Sequence, residues 1–359
     1  MNKKQLTVGI FPFGGKENPY TKMVADAVEQ GGNTALPLQD TKFFPIRRAC
    51  QSGVDLIHMF WPSNFYHSST WLGALLKRVM FADGLNCLRR IPFIYSADNL
   101  YPHDADSPDF EKKQIQKIVN EADGIIVASK AAQEIFSQTY EISSTTRFFI
   151  VPHCNYIGKY KDTISRDEAR MKLGIGSHEK VMLSLGRINK YKGLGLLSKA
   201  FFGAGIKDSH LLIAGSCNQP EIIEEIKGNN NTELSQVKMT IHSRFIPDDE
   251  IQTYMRAADC VVLSYDDVPM NPGSVILAMS FGLPVCCVDT GSVAEVLGPR
   301  CLFAYQPQNL DSMVAAIKRT LECPDLSERG REAYDLALKN HSPALVASRL
   351  QQAYAEVIK

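Results

Sequence analysis

The residues whose types and spacing could do chemistry cluster between Val181 and Leu297. An apolar run, Val181–Leu185, breaks into Gly186-Arg187 and reaches Lys192-Gly193. A second run, Leu211–Ala214, ends at Gly215, and a third, Cys260–Leu263, ends in Ser264-Tyr265-Asp266-Asp267. Asn271-Pro272-Gly273-Ser274 then opens a helix-like stretch, Val275–Phe281, before Gly282-Leu283-Pro284-Val285. The chemistry this permits is binding of a diphosphate. The Arg187 guanidinium and the Lys192 ammonium can neutralise it, and Gly273 and Ser274 at a helix start offer backbone N–H groups to an anion. The same cations would stabilise charge growing on a departing nucleotide.

Short buried strands ending in small or charged residues describe a parallel sheet whose carboxyl edge holds the ligand. The first half supports the same architecture. Strands are expected at Leu6–Phe11, Leu56–Met59, Phe93–Tyr95, Gly124–Val127 and Phe148–Val151. Helices are expected at Pro19–Gln30, Thr70–Phe81 and Lys112–Ala122. That alternation is the mark of a doubly wound sheet. The polar segment 158–177, with a helix at Ser165–Leu173, separates the halves. The expectation is therefore two Rossmann-like domains, 1–165 and 166–342, with a final helix in 343–359 crossing back to the first.

At 359 residues the chain can bury two cores, and 45% hydrophobic with 22% charged residues is an ordinary globular composition. Thirty-nine basic residues balance thirty-nine acidic ones, which gives no reason to expect nucleic acid. Nine cysteines without metal-like spacing read as reduced thiols of a cytoplasmic protein. The start reads as a first strand rather than a signal peptide, and no segment approaches the roughly 20 apolar residues that span a bilayer.

Taken in order, Gly186-Arg187, Lys192-Gly193, Ala214-Gly215, Ala258-Asp259 and Gly282-Leu-Pro-Val285 resemble the glycosyltransferases of the GT-B fold, especially family 4 and its relatives. Gly14-Gly15, Asp98-Asn-Leu-Tyr-Pro-His103 and Pro152-His-Cys-Asn-Tyr156 resemble a subgroup that builds bacterial exopolysaccharides and lipid-linked oligosaccharides. The resemblance implies two domains facing a central cleft, donor on the second and acceptor on the first. It implies a nucleotide-diphosphate sugar as co-substrate, no cofactor and no metal. By the same resemblance Phe245 and Ile246 would hold the nucleobase and Glu295 the sugar, with Asn271, Gly273 and Ser274 on phosphate.

The chain departs from the retaining pattern of family 4, which has two glutamates eight positions apart. Those positions fall near Pro269 and at Leu277. The departure favours an inverting transferase. The alternatives are a retaining enzyme that has replaced its glutamates, a more distant sugar-phosphate epimerase, and a non-catalytic scaffold that binds nucleotide sugar.

Inversion requires a base that removes the acceptor hydroxyl's proton in line with attack. The loop after Phe93–Tyr95 offers Asp98 first, then Asp104, with His103 beside them. The resembled subgroup usually has histidine where Asp98 stands. Read blandly, Asp98-Asn99 is a turn pair. Gly14, Gly15, His153 and Asn155 are expected to line the cleft, with Lys16 and Asn18 near the acceptor. Asp104-Ala-Asp106 matches the Asp-x-Asp metal clamp of another transferase fold, a triplet that also arises by chance.

Both tryptophans fall within Phe60–Arg90, beside Leu75-Leu-Lys-Arg-Val-Met-Phe81 and Arg89-Arg90. Aromatic and basic residues on one apolar helix suit a peripheral contact with the inner face of the cytoplasmic membrane, and an ordinary core helix with a basic face is the alternative. The reading is thus a hexosyltransferase that uses a saccharide or polyprenyl-linked acceptor.

Overall fold

The computed structural model describes residues 5–14, 19–39, 41, 43–103, 105–229, 236–265 and 270–359. Two units emerge. The first comprises Met1–Cys154 with Ser342–Lys359, the second Asn155–His341. The expected boundary at 165/166 falls inside the second unit. Tyr156 already donates its N–H to Ser280 Oγ at 2.9 Å, and Asn155 donates its own to the His341 carbonyl at 2.7 Å.

The first unit contains β1 (Thr7–Phe11), β2 (Thr34–Pro37), β3 (Leu56–Met59), β4 (Phe93–Ser96), β5 (Gly124–Val127) and β6 (Arg147–Ile150). Its helices are α1 (Tyr20–Gln30), α2 (Pro45–Cys50), α3 (Trp71–Leu88), α4 (Pro108–Val119) and α5 (Lys130–Thr139). All strands are parallel, in the order β2-β1-β3-β4-β5-β6. Helices on both faces leave no solvent side, so β3 and β5 are buried along their whole length and read as continuous apolar runs.

The second unit contains β7 (Lys180–Leu185), β8 (Ser209–Ala214), β9 (Val237–His242), β10 (Cys260–Leu263), β11 (Val285–Val288) and β12 (Leu302–Tyr305). Its helices are α6 (Arg166–Leu173), α7 (Leu194–Ala204), α8 (Pro220–Gly228), α9 (Ile251–Ala257), α10 (Gly273–Ser280), α11 (Ser292–Cys301), α12 (Leu310–Leu321) and α13 (Leu326–Asn340). The strand order β12-β11-β10-β7-β8-β9 reverses between β7 and β10, which creates a switch-point crevice at the strands' carboxyl ends.

Asp259 explains why an acid precedes β10. It accepts the Val181 N–H at 2.7 Å and the buried Arg170 guanidinium at 2.9 Å, tying α6 to the start of β7. Ser165 and Glu168 close a capping box on α6, where the polar pattern places a helix start. All nine cysteines are free; in β11, burial raises the Cys286 thiol to about 12 and pushes Cys287 up as well.

The last helix, α14 (Pro343–Val357), belongs to the first unit and packs on α1 and β6. Its Tyr354 hydroxyl lies 2.8 Å from His58 Nδ1, while His58 Nε2 lies 2.8 Å from Ser96 Oγ. Complete burial lowers the His58 pKa to about 3, so the ring is neutral and serves as a hydrogen-bonded strut.

Candidate functional site

In the second unit, β7 and β8 continue side by side past their ends. Gly186 donates its N–H to Ala214 O at 2.9 Å and Ile188 to Ser216 O at 2.8 Å. Gly215 has φ +154°, and a Cβ there would stand 2.1 Å from the Gly186 carbonyl oxygen. Only a residue without a side chain allows that approach. Gly186 has φ +116°, and its missing Cβ leaves the space that Lys192 Nζ occupies.

Lys192 is the last residue of a short 3-10 turn, Lys190–Lys192, and is 7% exposed. Among the described residues no carboxylate pairs with it. Burial alone lowers its pKa from 10.5 to about 8. Arg187, one residue beyond Gly186, is exposed at the same strand end. The predicted pair of cations thus stands at the switch point, one presented to solvent and one buried.

The far wall comes from β10. Ser264 Oγ donates to the Lys192 carbonyl, and the Tyr265 ring stacks on Tyr191 with centroids 6.4 Å apart and planes 11° from parallel. The Ser274 hydroxyl hydrogen-bonds to the Tyr265 phenol, whose pKa burial raises. Ser292 Oγ donates to the Met270 carbonyl at 2.6 Å, joining the loops after β10 and β11. Thr290 Oγ1 beside it is buried with no hydrogen-bond partner among the described residues.

Several predicted residues sit differently from expectation. The Gly273 N–H is already used, donating to the Asn271 carbonyl at 2.9 Å, and Val275 N–H donates to Pro272. The Ser274 N–H makes no backbone bond among the described residues. Phe245 is 48% exposed beyond β9, whereas Ile246 is buried at 7% and presents nothing to a ligand. Glu295 is exposed in the first turn of α11.

In the first unit, Asp98 lies just past β4 and is 8% exposed. Its Oδ1 accepts a hydrogen bond from the Tyr20 hydroxyl at 3.1 Å. The Tyr20 ring in turn stacks on His153, centroids 4.7 Å apart, and His153 Nδ1 bonds the Cys154 carbonyl at 2.7 Å. Phe60 and Trp61, following β3, pack on the other sides of Tyr20. Asp98, Tyr20 and His153 therefore form one assembly from three segments at the sheet's carboxyl edge. Gly14 stands at the end of β1 with φ +128° and open space where a side chain would be. His103 is half-buried farther along the β4 loop. Gly15, Lys16, Asn18 and Asp104 lie outside the described residues, as do Asp266–Pro269.

Asn155, expected to line a cleft, donates its side-chain amide to the Ala337 carbonyl at 2.9 Å and accepts the Ile157 N–H at Oδ1, so it caps the end of α13. Sequence reasoning missed Tyr20, which opens α1 directly after the loop from β1, the position where a doubly wound fold aims side chains at its ligand edge. Among the described residues no three His, Cys, Asp or Glu side chains converge as a metal site would require.

Residues 165–334 match the family model of the glycosyl transferases group 1. Over that stretch the chain is similar to that family. Its GT-B fold agrees with the Anabaena protein HepE, solved in complex with UDP and glucose, which superposes with TM-score 0.70 at 16% identity over 98% of this chain and 100% of that one. Among curated relatives, a GDP-mannose:glycolipid 4-beta-D-mannosyltransferase of Xanthomonas campestris is 24% identical over 87% of this chain and 84% of its own length. A Bacillus subtilis glycosyltransferase named for teichuronic acid biosynthesis is 25% identical over 64% of this chain, a match that spans 55% of that relative's length. The family match covers the second unit almost end to end, the unit in which Arg187 and Lys192 stand.

Proposed function

We propose that this protein transfers a hexosyl group from a nucleotide-diphosphate sugar to a saccharide or lipid-linked saccharide acceptor. The donor binds the second unit and the acceptor the first. The observation that carries the reading is Lys192: a buried ammonium with no carboxylate partner among the described residues, set against Gly186 at the switch point of the sheet. An unpaired buried cation is costly, and a bound diphosphate is the partner that would relieve it.

In this reading Lys192 and Arg187 meet the diphosphate, Ser274 a phosphate oxygen, and the exposed Phe245 ring stacks on the base. Glu295 touches the transferred sugar. An acceptor oxygen attacks the sugar's anomeric carbon while the Asp98 carboxylate takes its proton. The bond to the diphosphate breaks on the opposite side, its electron pair leaves with the nucleotide, and the two cations stabilise that charge without a metal or cofactor. The configuration inverts; the absence of acid at Leu277 and the Xanthomonas relative named for a beta linkage favour this over retention. The names of the two curated relatives favour a role in bacterial surface-glycan or exopolysaccharide synthesis, for which we propose a position on the cytosolic side of the membrane.

Thermal denaturation with UDP, GDP, ADP and TDP, and with their sugars, tests this. One nucleotide should stabilise the wild type and fail to stabilise Lys192→Met. Indifference to all of them, or equal stabilisation of the variant, would remove the donor site from Lys192.

A further inference from the structure

Helix α3 carries two apolar faces. Met80, Phe81, Gly84 and Leu88 are buried against the first unit. Trp71, Leu72, Leu75, Leu76 and Val79 are exposed, from 47% at Leu76 to 76% at Trp71. At about 100° per residue the two sets point roughly 170° apart, so the exposed set forms one stripe on the solvent side. Phe44, itself exposed like Phe43, flanks the helix: its N–H lies 3.3 Å from Sδ of Met80 on the buried face. A contiguous exposed patch of this kind marks an interaction surface.

Charge identifies the occupant. The segments 43–50 and 71–90 contain Arg47, Arg48, Lys77, Arg78, Arg89 and Arg90 against the single acid Asp83, in a chain whose formal charge is zero. Four of these cations are engaged: Arg47 with Asp83, Arg89 with Glu121, Lys77 with the Asn64 carbonyl, and Arg78 over the Phe110 ring. Arg48 and Arg90 are exposed and make no ion pair among the described residues. A second copy docking through this face by two-fold symmetry would set cations against cations. An anionic bilayer instead takes the apolar stripe into its acyl boundary and the flanking cations among its headgroups, with Trp71 at the interface.

We infer that α3, with Phe43 and Phe44, docks this protein onto an anionic lipid surface. No helix among the described residues is long and apolar enough to cross a membrane, so the contact lies in the interface plane. It does not depend on the donor chemistry proposed above, and its test does not use turnover.

The experiment is co-flotation of the full chain with vesicles of phosphatidylcholine alone or with about one third phosphatidylglycerol. Binding is expected to the anionic vesicles, to weaken with salt, and to fall at least about tenfold in Leu72→Ser/Leu75→Ser/Leu76→Ser and several-fold in Arg48→Glu/Arg90→Glu. Trp71 emission should shift to the blue on binding in a Trp61→Phe background. The substituted residues are exposed, and an unchanged melting temperature verifies that the variants are folded. Absence of flotation with anionic vesicles, or equal flotation of wild type and triple variant, overturns the inference. So does vesicle-free dimerisation that the triple variant abolishes, which would assign the stripe to a second copy.

Discussion

The Lys192 ammonium lies over the Cα of Gly186: a methyl group added there would stand 2.8 Å from Nζ. A glycine in a positive-φ conformation and a buried cation six residues later are thus one structural device. Gly186→Ala should displace the ammonium and strain the backbone, costing about 1–3 kcal/mol of stability and most of the nucleotide-induced stabilisation. Lys192→Met should separate the two effects. It removes a buried charge that no carboxylate among the described residues pairs, so the ligand-free protein should melt no lower than wild type, while stabilisation by the nucleotide disappears. Parallel melting curves with and without nucleotide check both.

Lys192 also gives the protein an alkaline signature. Its folded pKa of about 8 lies below the ordinary value of 10.5, so between those limits the unfolded chain holds more protons and stability rises with pH. The penalty is fully present below pH 8, amounts to about 3 kcal/mol, and is relieved as pH rises toward 10.5. A bound diphosphate works in the other direction by favouring the charged amine. Nucleotide affinity should therefore weaken above pH 8, with proton uptake on binding. Calorimetry at pH 8.5 in buffers of differing ionisation enthalpy measures that uptake, which Lys192→Met should lack.

Much of this site was legible in the sequence because its elements are local. A buried parallel strand is a short apolar run, and the glycine or cation ending it sits at the carboxyl edge by construction, which is how Arg187 and Lys192 were located. What failed depended on tertiary contact. Strand β2 is four residues at the sheet edge ending in Pro37, and carries no apolar run. Helix α3 runs on to Leu88, past the expected end at Phe81, because Gly84 lets it approach α2, where a Cβ would meet Ile46 at 2.7 Å. Asn155 follows a strand end, as a ligand residue would, yet caps a helix more than 180 residues later in sequence. Tyr20 is marked only by its place at the start of α1 after β1; the folded sheet brings it to Asp98.

That pairing makes a kinetic prediction, resting on Asp98 as the base. Asp98→Asn should lower kcat by about 10²–10⁴ while leaving nucleotide-induced stabilisation intact. Tyr20 donates to the carboxylate and favours its charged form, so Tyr20→Phe should lower kcat less and move the acid limb of the pH–rate profile upward. An unmoved limb with a lowered melting temperature would leave Tyr20 a packing residue only. Initial rates from pH 5 to 9, with a spectroscopic melt for each variant, distinguish the two.

The strut beneath that edge predicts an acid limit. His58 has a folded pKa of about 3 against an ordinary value of 6.5, because burial disfavours its charged form. Between those values the unfolded chain binds the extra proton, so stability is fully present above pH 6.5 and lost as pH falls toward 3. The first unit should accordingly loosen in acid, starting where α14 is held. Tyr354→Phe leaves one His58 nitrogen without its partner and should cost about 1–3 kcal/mol at neutral pH. His58→Phe should flatten the acid dependence even where it lowers stability outright. Hydrogen exchange on α14 amides at pH 7 and pH 5 reads both effects, with protection expected to fall in the wild type and to change little in the His58 variant.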